Sequence, residues 1–97
     1  MSRKAVPIVD RKLILADGGI IQIRVWRLPG VSQERPHGLK YSLFYGRHGD
    51  RIVGYDNEAG EGDHRHYRGR EEPYTFHSLS RLTADFERDV RKERGDE

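Results

Sequence analysis

The stretch Tyr55 to Arg70, "YDNEAGEGDHRHYRGR", concentrates side chains that move protons and hold phosphates. Side chains alternate between the two faces of a β-strand. His64, His66 and Arg68 would then share one face, with Arg65 and Tyr67 on the other. Asp56 ends the preceding segment, so either Asp56 or Tyr55 neighbours His64, depending on register. Two imidazoles can serve as base and acid near neutral pH, and a guanidinium can stabilise charge on a phosphate in the transition state. Cleavage of RNA by its own 2′-hydroxyl needs those roles and no metal. The candidate catalytic set is therefore Asp56, His64, His66 and Arg68, mostly solvent-facing and converging in one shallow cleft. Arg65, Tyr55, Asn57, Asp63, Tyr67 and Arg70 surround it as candidate nucleic-acid contacts, and no cofactor is implied. The two glycines of the loop Asn57 to Gly62 would let backbone approach a ligand closely.

The same residues admit other readings. His-x-His joined by Asp56 or Asp63 could hold zinc, which would make the chain a metal-dependent hydrolase. The short spacing is permissive and recurs by chance. The segment could instead be a non-enzymatic module that binds nucleic acid or protein. It could also be a solvated ion-pair surface of Glu61, Asp63 and Arg65, worth little energetically. His37 and His48 read as exposed loop residues, and His77 as a local hydrogen-bond partner. Trp26 and the tyrosines could stack on bases, but aromatics on a small sheet are more often packing groups.

The elements that must position this segment can be read from turns and periodicity. Ninety-seven residues suit one domain, spanning 1–97, with a thin core. "RKLILADGGIIQIRVWRLPG" reads as a hairpin turning at Asp17, Gly18 and Gly19, which pairs Leu15 with Ile21, Leu13 with Ile23 and Arg11 with Val25. That register gathers Leu13, Leu15, Ile21, Ile23 and Val25 on one face and Lys12, Gln22 and Arg24 on the other. "LPGVSQERPHGLK" is a long loop. "KYSLFYGRHGDRIVGYDN" is a second hairpin with His48-Gly49 at its tip, pairing Tyr45 with Ile52, Leu43 with Gly54 and Tyr41 with Asp56. "DHRHYRG" returns as a further strand, and Pro73 breaks regular structure after it. Leu79, Leu82, Phe86 and Val90 recur at helical spacing, with Ser78 as N-cap and Gly95 as terminator. The expected fold is α+β: an antiparallel sheet of about five strands with one C-terminal amphipathic helix on one face. The helix should contact Leu13, Leu15, Ile21, Ile23 or Val25, leaving Trp26, Tyr and Arg side chains on the other face.

A formal charge of +2 is too small to argue for nucleic acid by itself, although Arg far outnumbers Lys and suits phosphate. The absence of cysteine excludes disulfides and thiolate metal sites. No run reaches the length of a membrane span and the N-terminus lacks a signal-like apolar region, so a soluble cytoplasmic protein is expected.

"VGYDNEAGEGDHRH", then "EEPYTF", then "LTADFERDV" resembles the TumE-like family of bacterial toxin–antitoxin toxins. The likeness covers Ser42 to Val90. By position it rests on Tyr55, Asp56, Asn57, Gly62, Asp63, His64, Arg65, His66, Pro73, Tyr74 and Phe76, with Asp85, Phe86, Asp89 and Val90 on the helix. The resemblance implies a small cytoplasmic toxin, encoded beside an antitoxin with a helix-turn-helix DNA-binding domain; with the chemistry of the polar segment, the expected target is RNA. It assigns no catalytic residue.

Overall fold

The computed structural model describes residues 4–33, 35–58 and 62–95. Six strands follow one another in space as in sequence, β1 (Val6–Ile14), β2 (Ile20–Arg27), β3 (Leu39–Arg47), β4 (Asp50–Asp56), β5 (His64–Tyr67) and β6 (Arg70–Pro73), each antiparallel to the next. The helix α1 (Leu79–Arg94) closes the chain. This is the expected α+β architecture with one strand more than anticipated. β6 forms because Arg68 and Gly69 both take positive φ, 49° and 81°, and turn the chain tightly back on β5. Pro73 is the last residue of that edge strand, where a missing N–H breaks no interior ladder.

The His48-Gly49 turn forms as expected, with φ of 52° and 81°. Beyond it the register departs from a regular hairpin. Gly46 pairs with Arg51 but Tyr45 pairs with Val53, so Ile52 is an extra residue in β4. The bulge moves Leu43 opposite Tyr55 instead of Gly54, and Ser42 opposite Asp56. Val53 and Tyr55 thereby join Tyr41, Leu43 and Tyr45 on one face, where the regular register would have set them apart. In the first hairpin Leu13 pairs with Ile21 and Arg11 with Ile23, two residues from the expected register. A shift of two preserves facing, so the apolar set keeps its face.

α1 starts at Ser78, whose hydroxyl accepts from the Arg81 N–H at 3.0 Å, and ends at Gly95 with φ 76°. Its buried stripe of Leu82, Phe86 and Val90 packs on Val25, Tyr41, Leu43, Tyr45, Val53 and Tyr55. Burying each such side chain contributes about 1.5–3 kcal/mol. The helix lies closest to β4. Its main seat is thus the middle of the sheet; of the first hairpin, Val25 lies in the core as expected, and Leu15, Ile21 and Ile23 reach it from its margin. Tyr41, Tyr45 and Tyr55 sit beneath the helix, so the opposite face carries Trp26 but not these tyrosines.

Candidate active site on the open face

The registers arrange the helix-free face in rows. Lys12, Gln22, Phe44, Gly54, His66 and Glu71 form one row across the sheet, and Asp10, Arg24, Ser42, Asp56, His64 and Pro73 the next. Asp56 pairs with His64, one of the two alternatives that sequence left open. His64, His66 and Asp56 therefore meet on one face, and Glu71 joins them from β6.

His66 is the centre of this cluster. Its Nε2 lies 3.3 Å from Asp56 Oδ2, and its Nδ1 lies 2.9 Å from Arg51 Nη2. A guanidinium only donates, so Nδ1 accepts and the Nε2–H is aimed at Asp56. Glu71 Oε2 waits 3.5 Å from the same Nδ1, beyond a good hydrogen bond but ready for an imidazolium. Arg51 also lies 3.6 Å from Asp56. Arg51 reaches this face because Gly54 has no side chain: a Cβ there would fall 2.8 Å from Arg51 Cδ. His64 is held differently. Its Nδ1 is 3.1 Å from the Gly62 carbonyl, to which it donates, leaving Nε2 open at 3.8 Å from Glu71. Neither imidazole is mostly solvent-facing, as sequence suggested; His66 is 9% exposed because Arg51, Asp56 and Glu71 enclose it.

Arg68 stands apart from the set. It occupies the β5–β6 turn and pairs with Glu93 of α1, on the helix side of the sheet. Its positive φ ends the alternation that would have aligned it with His64 and His66. Arg51 stands where Arg68 was expected.

Most of the candidate nucleic-acid contacts have structural partners. Tyr55 is fully buried and donates to Asp89 Oδ2 at 2.5 Å. Arg65 donates from Nε to Tyr55 Oη at 3.0 Å and Asp89 at 2.8 Å, and from Nη1 to Glu72 at 2.6 Å. Its guanidinium also lies 4.8 Å from the Tyr67 ring centre. Tyr67 donates to Glu93 and Tyr74 to Asp85. Asp85, Asp89 and Glu93, spaced four apart on α1, thus anchor β5 and the segment after β6. Burial, and then the Asp89 carboxylate, push the Tyr55 hydroxyl well above the usual phenol range. The Asp89 hydrogen bond holds Arg65 charged more firmly than usual. Burial alone would raise Asp85, but the Tyr74 hydroxyl, Arg81 and Arg88 outweigh it and hold the carboxyl below the ordinary range.

Asn57 is buried, accepting from the Tyr41 N–H at 3.0 Å and donating to the Leu39 carbonyl at 2.8 Å. Its own carbonyl accepts from Arg35 at 2.7 Å. Asp63 meets His37 at 3.3 Å, and the His37 ring packs at a tilt against Phe76 with centroids 4.1 Å apart. His37 is thus a tie between the long loop and the β4–β5 connection, not an exposed loop residue. Arg70 alone is exposed without a described partner at the head of β6. The tip of the Asn57-to-Gly62 loop, with Gly60 and Glu61, lies outside the described residues.

Arg51, Glu71 and Gly54 were missed by sequence reasoning. Arg51 lies near the turn; its partner His66 comes from the next strand, and the bulge at Ile52 stands between it and Asp56 on its own strand, so no regular spacing connects them. Among the described residues no group of three or more His, Asp or Glu side chains is arranged to hold a metal ion. No described helix is long and apolar enough to cross a membrane. Two cationic side chains, Arg24 and Lys40, and the aromatic pair Trp26 and Phe44 complete the open face, with Lys40 Nζ 5.7 Å from the Trp26 ring centre.

No curated protein and no solved structure matches the chain. A family model described as Toxin TumE matches residues 4–94, nearly the whole length and well beyond the Ser42-to-Val90 stretch that carries the resemblance. The chain belongs to the TumE toxin family, a toxin of a toxin–antitoxin system whose partner is an antitoxin.

Proposed function

We propose that this toxin acts on RNA as a metal-independent ribonuclease, with its chemistry at His64, His66, Asp56 and Arg51. The observation that carries the reading is the clamp on His66 between Asp56 and Arg51, beside the open Nε2 of His64, on a face no helix covers. His64 Nε2 accepts the proton of a 2′-hydroxyl while the 2′-oxygen attacks the adjacent phosphorus. The bond to the 5′-oxygen breaks, and that oxygen takes a proton from the imidazolium of His66. A phosphate that draws Arg51 onto itself frees His66 Nδ1 to face Glu71, while Nε2 stays on Asp56. Arg51 takes the charge-stabilising role that spacing suggested for Arg68. RNA as substrate sets the site of action in the cytoplasm, and the antitoxin carries a helix-turn-helix domain.

The test is induced expression of wild type, His64→Ala and His66→Ala, with purified proteins on single-stranded RNA. Growth arrest and cleavage to 2′,3′-cyclic phosphate ends should both be lost in the variants while RNA binding remains. A folded double variant that still arrests growth would remove these residues from the mechanism. Trp26, Phe44, Arg24 and Lys40 favour a second reading, a binding module that occupies single-stranded RNA by stacking and charge. It requires loss of affinity in Arg24 and Lys40 variants and no turnover by any form.

A further inference from the structure

The two edges of the sheet are unequal. β6 is four residues long and carries Arg70, Glu71, Glu72 and Pro73, the features that keep an edge from recruiting another strand. β1 is nine residues long. Its start is guarded by Pro7 and an irregularity between Pro7 and Val9, and its middle carries the charges of Asp10, Arg11 and Lys12, but its end at Leu13 and Ile14 is apolar. Leu13 is 46% and Ile14 74% exposed there. Immediately inside this edge the helix stops short of the first hairpin. A cavity of about 240 Å³ opens between them, walled by Leu13, Ile21, Ile23, Phe86 and Val90. That is small for a drug-sized ligand but suits apolar side chains of a peptide. Arg11 and Arg91 stand on its rim with Glu87.

We infer that β1 and this cavity are the antitoxin's docking surface. A strand of the antitoxin extends the sheet at Val9–Ile14, sets apolar side chains into the cavity, and carries acidic residues toward Arg11 and Arg91 on its rim. A second copy of this chain is the poorer occupant. Two-fold pairing centred on Lys12 sets Lys12 against Lys12 with Asp10 facing Ile14, and pairing centred on Arg11 sets Arg11 against Arg11 on the cavity side, offsetting its Asp10–Lys12 pairs; like charges directly opposite destabilise a sheet. The open face is left clear, so the inference does not depend on the RNA reading.

The experiment is calorimetric titration of the purified full chain with the purified antitoxin encoded beside it. Leu13→Glu should raise the dissociation constant about ten-fold or more, because it puts a carboxylate at the cavity mouth against acidic partner residues. His64→Ala should leave it within about two-fold, as expected for a residue outside the interface. Hydrogen exchange on the wild-type pair keeps the test decisive should Leu13→Glu not fold: the amides of Val9–Ile14 should slow on complex formation. Unchanged binding by folded Leu13→Glu, or slowing confined to β4–β6, would overturn the assignment. So would a dimer of the chain alone with those β1 amides already protected.

Discussion

Gly54→Ala separates the proposed chemistry from the stability of the fold. The residue is buried in β4 with no positive φ, so alanine introduces no backbone strain. The three nearest atoms to an added Cβ all belong to Arg51, at 2.8, 3.4 and 3.6 Å. The methyl group therefore displaces the Arg51 stem and little else. On the stability side, replacing a strand glycine gains about 0.5–1 kcal/mol from the unfolded chain. Loss of the Arg51–His66 hydrogen bond offsets it. Hydrogen bonds to charged groups contribute about 1.5–3 kcal/mol when enclosed. Arg51 is 43% exposed and recovers much of that from water. The net change should stay within about 1 kcal/mol in a urea melt. On the activity side, a guanidinium moved off the reacting phosphate should cost about 10–100-fold in RNA cleavage, equivalent to about 1.4–2.8 kcal/mol of barrier. The nitrogen chemical shifts of His66 report whether Nδ1 still accepts from Arg51. A folded Gly54→Ala protein with that hydrogen bond broken and cleavage at the wild-type rate would refute Arg51 as part of the site.

Asp89→Ala should destabilise the protein by about 3 kcal/mol in denaturant melts, because it strands the Tyr55 hydroxyl and the Arg65 guanidinium beneath α1; a loss below about 1 kcal/mol would contradict that role. Arg68→Ala should leave growth arrest intact, since the side chain faces away from His66, but should lower stability by about 1–2 kcal/mol because its partner Glu93 is only 9% exposed. The hydroxyls of Tyr41, Tyr55, Tyr67 and Tyr74 are all raised, chiefly by burial. Their stabilising effect is complete below the unfolded phenol value of about 10 and lost as pH rises above it. Tyrosinate absorbance should therefore appear together with loss of near-ultraviolet circular dichroism, and ionisation that precedes unfolding would falsify the assignment. At the acid end, Asp85 is depressed, so its contribution is present above about 4 and lost as pH falls through its lower folded value; Asp85→Asn should flatten the melting temperature over that window.

Local signals determined much of this protein. The helix was legible because Leu79, Leu82, Phe86 and Val90 repeat at its own period between Ser78 and Gly95, and those are contacts within four residues of one another. The His48-Gly49 turn and the pairing of His64 with His66 on one face followed from similarly short-range stereochemistry. The family was legible in contiguous motifs. What only the tertiary structure decided was which residues meet across strands. Alternation counts positions along the chain, and one extra residue, Ile52, inverts the count for everything beyond it on the side away from the turn. The positive φ of Arg68 ends another count and sends that side chain to Glu93. Asp89 lies 24 positions from Arg65, and their ion pair exists because the helix crosses over β4. No spacing records that crossing, since it is set by how the buried aromatic layer of Tyr41, Tyr55 and Phe86 packs.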